Sequence, residues 1–314
     1  MEKGQLVTAL SNIITNPILS VDLYFVFKHE DTYVQYLANP NDDLRTEIIS
    51  GYTGFLQTFI NPDNPYELND IYDDNEYEDY HLFFDTITNN DIAQAIFLFS
   101  RPDALPYTTA AGPLSKIHGF IIELSDGTNY LTLYKRNQAT HAVNPDKMIN
   151  FFTGADNQLK LINQSAIYLT KSIDLFKIDN TIFINSRSVY ENQFGFVAQL
   201  KARAETGFVD LSAITAFDID ISVQDYVKKL PKGMLKKLST VATSNPIIEQ
   251  EKWTEITRQA RRYARHEFDT RADGAIKIQT KKELIILINI LNRDYNYNTA
   301  SKERYLTKNK KLIN

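Results

Sequence analysis

At 314 residues the chain exceeds the usual size of one domain, and 43% hydrophobic with 23% charged residues is the make-up of a globular protein with a sizeable core. Cysteine is absent, which excludes disulfides, thiol catalysis and cysteine-ligated metal. The net charge of −5 conceals an asymmetry: residues 1–150 hold 8 Lys and Arg against 21 Asp and Glu, whereas residues 221–314 hold 20 against 10.

Taken in order, the chain opens with a short helix that lacks the uninterrupted apolar core of a signal peptide. Ile18 to Phe27 reads as an apolar strand, with Thr32 to Leu37 as its hairpin partner across His29-Glu30-Asp31. Leu44, Ile48, Phe55 and Phe59 recur at near-helical spacing and predict a helix over Asp42 to Phe59. Pro62 to Asp85 is acidic and tyrosine-rich. Its dense like charges predict a solvated loop or short exposed helix, or else a dock for a basic partner. Ala93 to Ser100 (AQAIFLFS) reads as a buried strand. Ile117 to Leu124 and Asn129 to Arg136 form a hairpin across Ser125-Asp126-Gly127-Thr128, where Asp126 is a turn residue rather than a catalyst. A helix is expected near Pro145 to Phe152. The domain boundary falls near residue 160, giving an acidic α+β domain over 1–160 and a basic one over 161–314.

In the second half, Leu175 to Ile178 and Thr181 to Ile184 make a tight hairpin across Asp179-Asn180. A helix runs from Glu191 or Phe196 to Glu205, and Ala216 to Ile221 reads as a strand. Ser222 to Asp225 resembles a capping box. Pro231 then starts a helix with Met234, Leu235, Leu238 and Val241 apolar and Lys232, Lys236 and Lys237 exposed. Pro246 ends it. In the next helix, Glu249 to Glu267, the residues Trp253, Ile256, Ala260, Tyr263 and Ala264 share one face. Arg258, Arg261, Arg262 and Arg265 share the roughly opposite one. After a turn at Gly274, a short strand is expected over Ala275 to Ile278 and an apolar helix over Lys281 to Leu291. The basic tail carries Lys302, Arg304, Lys308, Lys310 and Lys311. The class is α+β.

Residue chemistry names no reaction. There is no phosphate-binding glycine loop, no dinucleotide fingerprint, no nucleophile elbow and no histidine pair with metal-ligand spacing, so neither a cofactor nor a metal is assigned. Asp218 and Asp220 share one face of a strand, as metal-binding carboxylates do. Alternation with Phe217, Ile219 and Ile221 explains that placement without chemistry. The positive signal is the basic C-terminal third. Guanidinium is permanently charged and its fork suits phosphate oxygens, so Arg258, Arg261, Arg262 and Arg265, assisted by Lys236 and Lys237, are the candidate contacts to an anionic or nucleic-acid partner, if the arginine face is not simply a solvated one. Tyr295, Tyr297 and Tyr305 can stack on bases or pack in a core. A charge asymmetry of this kind also arises when two halves neutralise each other across an internal or dimer interface.

The second half carries a further pattern. An Ile178-Asp179-Asn180 hairpin is followed by Ser186-Arg187, by Tyr190-Glu191-Asn192-Gln193-Phe194 and by Phe217 to Ile221. Leu287 to Tyr295 comes next, with Tyr305 and Lys308 downstream. Over residues 165–314 this resembles the KwaB family of the Kiwa anti-phage defence system. The resemblance implies a cytoplasmic, DNA-binding effector that works with KwaA, a multi-span membrane protein, and interferes with phage DNA. It carries over no catalytic residues. The expectation is therefore a non-enzymatic, homodimeric DNA-binding effector whose acidic first half meets KwaA or a second copy. A metal-dependent nuclease using Asp218 and Asp220, and an adaptor whose basic half meets acidic protein, are the alternatives.

Overall fold

The structure is a computed structural model that describes residues 2–18, 20–30, 32–72, 81–97, 104–138, 142–143, 150–153, 159–162, 166–243, 250–292, 295–297 and 304–306. It is α+β and divides into two compact units, Met1–Asn69 with Asp79–Gly195, and Asp70–Glu78 with Phe196–Asn314.

The first unit is organised on one sheet. In chain order it contains α1 (Lys3–Ile14), β1 (Ser20–His29), β2 (Thr32–Ala38), α2 (Asp42–Ile60), β3 (Glu67–Asp70), β4 (His81–Thr86) and α3 (Asp91–Phe97). These are followed by β5 (Leu105–Pro106), β6 (Ile117–Ser125) and β7 (Tyr130–Arg136). Two small pairs come next, β8 (Ala142–Val143) with β11 (Ala166–Ile167) and β9 (Asn150–Thr153) with β10 (Leu159–Ile162). The tight hairpin β12 (Leu175–Ile178) and β13 (Thr181–Ile184) and the helix α4 (Arg187–Gln193) complete the unit. Nine strands lie in the order β3-β4-β13-β12-β7-β6-β1-β2-β5. Because β12 and β13 pair with β7 and β4, the sheet extends past the residue-160 division read from charge.

Both faces of this sheet are covered, which is why β6 and β7 are buried almost throughout instead of alternating. On one face Leu6, Leu10 and Ile13 of α1 and Ile48, Tyr52, Leu56 and Phe59 of α2 pack with Leu23, Ile122, Leu133 and Phe176. Each such side chain contributes about 1.5–3 kcal/mol on burial. The α2 start is fixed by Asn41, whose Oδ1 accepts from Leu44 N at 3.0 Å. On the other face Tyr134 meets Phe97 and Phe194 edge-on, and Phe194 stacks on Tyr190.

Four expectations are corrected in detail. Ala93 to Ser100 is not a strand: residues 91–97 form α3, because Asn90 Oδ1 accepts from Ala93 N at 2.9 Å and caps a helix whose Ala93, Ile96 and Phe97 turn inward. Residues 98–100 lie outside the described residues. The helix expected over Pro145 to Phe152 lies mostly outside them too, and its described end belongs to β9, paired with β10. The acidic stretch is not simply a solvated loop. Glu67–Asp70 and His81–Thr86 are strands, and Ile71 and Tyr72 are buried in the second unit, while residues 73–80 lie outside the description.

The second unit is mainly helical, with α5 (Phe196–Ser212), β14 (Phe217–Ile219), α6 (Gln224–Val227), α7 (Lys232–Thr243), α8 (Gln250–Gln259), β15 (Ile276–Ile278), α9 (Lys281–Leu291) and the hairpin β16 (Tyr295–Tyr297) and β17 (Arg304–Leu306). β14 and β15 pair in parallel, so the helices between them are a crossover. The fourth correction concerns the Ser222 box. Asp220 Oδ1 accepts from Ser222 N at 2.8 Å and opens the helical turn, and α6 starts without a side-chain cap. In this unit a capping box forms instead between Thr280 and Glu283 at the head of α9. No helix among the described residues is long and apolar enough to cross a membrane.

Candidate nucleic-acid interface

The basic side chains of the second unit fall into two kinds. Lys236 and Lys237 were expected on a solvated face, and that is corrected: they are 4% and 7% exposed. α7 packs against both α5 and α9, so one apolar stripe is not enough and the lysine stems are buried as well. Lys236 Nζ donates to the Ile71 carbonyl at 3.2 Å and lies 5.6 Å from the Phe196 ring centre. Lys237 Nζ donates to Asn289 Oδ1 of α9 at 3.3 Å. Their amines hold the unit together and do not face a nucleic acid. Lys232, one turn earlier, is exposed.

The arginines are presented differently. Ile256 and Ala260 are buried, as the amphipathic face predicts; the Trp253 side chain lies outside the described residues. The helix does not continue unchanged to Glu267. After Gln259 it widens into a π-helical turn, Ala260–Ala264, and ends at Arg265 in the left-handed region with φ 49° and ψ 42°. His266 N reaches back to the Ala260 carbonyl at 3.2 Å. Such insertions cluster at functional sites because they rotate the side chains that follow. Here Arg258, Arg261 and Arg262 line a cleft of about 760 Å³ together with Thr254, Thr257 and Thr270. Arg265, turned off the helix by its backbone, is not among the cleft residues.

The electrostatics are those of cations held loosely in place. Arg258 donates from Nε and Nη2 to the two Glu255 oxygens, each at 2.7 Å, and Gln259 Nε2 donates to Glu255 at 2.9 Å. These bonds, Arg258 first, hold the Glu255 carboxyl below its ordinary value. Arg261 pairs with Glu267, and the Arg262 guanidinium lies 5.3 Å from the Tyr263 ring centre. The Arg258 and Arg261 side chains are each 61% exposed. Solvent screens such pairs, so a phosphate oxygen can take the place of a carboxylate oxygen at little cost. Three guanidiniums beside three threonine hydroxyls form a donor-rich wall suited to phosphate. The threonines were not singled out from sequence, although Thr254, Thr257, Arg258 and Arg261 already share helical spacing.

The two strand carboxylates are placed otherwise. Asp220 is occupied by its turn: hydrogen bonds from Ser222 hold its carboxyl low. Asp218 sits half-buried on β14 opposite Lys277 of β15. Neither lines the arginine cleft. Tyr295, Tyr297 and Tyr305 belong to one hairpin, in which Asn296 faces Tyr305.

A family model described as Kiwa protein KwaB-like matches residues 114–299, more than half of the chain, and spans the whole arginine cleft. No curated protein and no solved structure matches the chain.

Proposed function

Because this chain belongs to the KwaB-like family of Kiwa proteins, and so has a role in anti-phage defence, we propose that it is a DNA-holding effector of that system. The observation that supports this most is the cleft of the second unit, where Arg258, Arg261 and Arg262 stand with three threonines. In this reading the guanidiniums grip backbone phosphates of double-stranded DNA, with little discrimination between sequences. Membrane contact is assigned to a KwaA-like partner, the assembly to a homodimer, and the acidic surface of the first half to one or the other. Lys236 and Lys237 are left out of the DNA contacts because of their burial.

The test is binding of the full chain to labelled duplex across a salt series, beside a variant with Arg258, Arg261 and Arg262 all replaced by Ala. Three lost phosphate contacts should flatten the log–log salt slope by about 3 units. An unchanged slope in a folded variant removes the cleft from this reading. No duplex binding even at low salt, with capture of an acidic protein instead, would leave an adaptor in its place.

A further inference from the structure

A second cation-lined cleft lies within the first unit, at an irregularity between two of its central strands. β1 and β6 pair in register from Ser20 opposite Ser125 to Val26 opposite Gly119, after which Phe27 faces Ile117. His118 is the extra residue. A bulge of this kind leaves one residue unpaired and re-aims its side chain. Asn137 secures it: its backbone N–H donates to the His118 carbonyl at 3.1 Å and its Nδ2 to the Ile117 carbonyl at 2.9 Å. Beside it, Gly119 has no room for a Cβ, which would lie 2.5 Å from the Tyr134 hydroxyl oxygen.

The bulge opens onto a cleft of about 400 Å³ whose polar walls are Lys28, Ser115, Lys116, His118, Arg136, Asn137 and Gln193, the last accepting at Oε1 from the Tyr134 hydroxyl at 3.0 Å. The cations come from separate elements: Lys28 from β1, Lys116 from the turn before β6 and Arg136 from β7. Among the described residues no carboxylate lines the cleft. Arg136 is held by its backbone N–H, which donates to Asp174 Oδ2 at 2.8 Å. The edge of the Tyr33 ring meets His118, centres 5.5 Å apart, and Lys28 Nζ lies 5.8 Å from the same ring. Three buried polar atoms here, Arg136 Nε, His118 Nε2 and Asn137 Oδ1, have no hydrogen-bond partner among the described residues. The large majority of buried side-chain polar atoms in proteins are bonded, so three together mark a place built for an outside partner.

We propose that this cleft binds the phosphate group of a small phosphorylated molecule, using Lys28, Lys116 and Arg136 as its cationic shell and the His118 imidazole as a neutral hydrogen-bonding partner. Phosphate oxygens satisfy the unpartnered nitrogens, and the hydroxyl of a monohydrogen phosphate is the donor that Asn137 Oδ1 lacks. The volume is within the range of small-ligand sites. Among the described residues no Phe, Tyr or Trp lines the cleft, so recognition centres on the phosphate and not on a nucleobase.

Equilibrium dialysis of the full chain against labelled inorganic phosphate and pyrophosphate tests this, with a Lys28→Ala/Lys116→Ala variant beside it. Both lysines are exposed, so the variant folds. Saturable binding of one anion per chain is expected, weakened at least about tenfold in the double variant, which corresponds to about 1.4 kcal/mol. Arg136→Lys, which keeps the charge but removes Nε, should weaken it too. The Arg258, Arg261 and Arg262 variant should bind phosphate as the parent does, so loss of DNA binding and loss of phosphate binding are read separately. Absence of saturable binding overturns the proposal. So does equal affinity in the parent and the Lys28/Lys116 variant, or binding that disappears only with the arginine-cleft variant.

Discussion

The two clefts are both lined by cations, yet they are prepared in opposite ways. In the second unit, Arg258 and Arg261 stand in water with Glu255 and Glu267 beside them, neutralised in advance by partners that solvent already weakens. In the first, Arg136 and His118 carry buried nitrogens with no partner among the described residues, and no described carboxylate lines the cleft. The first arrangement suits repeated, salt-sensitive exchange along a polyanion, because every grip costs little to make or release. The second suits one compact anion, because desolvated donors reward only a ligand that satisfies them.

The largest effect should come from the support beneath the first cleft. Asp174 is buried, accepts from Lys135 Nζ at 3.2 Å and holds the backbone of Arg136. Asp174→Ala leaves the buried Lys135 ammonium bonded to Ser172 but without its counter-charge and should destabilise the protein by about 3–5 kcal/mol, read from the urea midpoint. Asp174→Asn, which keeps the acceptor, should lose less. A smaller effect tests the unpaired character of His118. Burial first, then Lys28 and Arg136, holds its pKa below the ordinary 6.5. The groups facing it are Lys28 on β1, Tyr33 on β2, Lys116 before β6 and Arg136 on β7. Below pH 6.5 the unfolded chain takes up a proton that the folded chain still refuses, so stability falls with acid until the folded value is passed. Denaturation from about pH 7.5 to about 5.5 should therefore cost the parent more than His118→Gln. Equal losses would mean that His118 is not held neutral. The smallest effect tests the loose pairing of the other cleft. Glu255→Gln frees Arg258 from its carboxylate and should raise duplex affinity at low salt by about two- to threefold, an advantage that fades as salt is added.

Local structure was legible where side chains repeat in step with one element. The Asp42 helix, the hairpins around Asp126 and Asp179, and the helix Lys281–Leu291 all follow from spacing and turn chemistry. Strand order was not legible, because the pairing of β13 with β4 joins residues about a hundred positions apart. The run AQAIFLFS is equally apolar as strand or helix, and the Asn90 cap decided it. In the basic third, spacing brought Arg258, Arg261 and Arg262 together, but it could not separate them from Arg265, since the π-helical turn breaks the period on which the inference rests. Lys236 and Lys237 misled because a long stem lets a charged residue pack as an apolar one. The bulge at His118 did leave a trace, the lone glycine at 119 inside a mainly apolar strand.

The chain visits the second unit briefly at residues 70–78, long before it returns there at Phe196. Tyr72 lies against Phe196, with ring centres 5.4 Å apart, and beneath the Arg203 guanidinium at 3.6 Å, while the Ile71 carbonyl receives Lys236. During synthesis, Ile71 and Tyr72 therefore leave the ribosome more than a hundred residues ahead of the helices that cover them. Until α5 and α7 emerge, Ile71 and Tyr72 lack the helices that bury them, even once β13 has completed the sheet. A nascent chain halted at Gly195 should be a preferred client of chaperones that hold exposed apolar segments, and release should coincide with the emergence of α7.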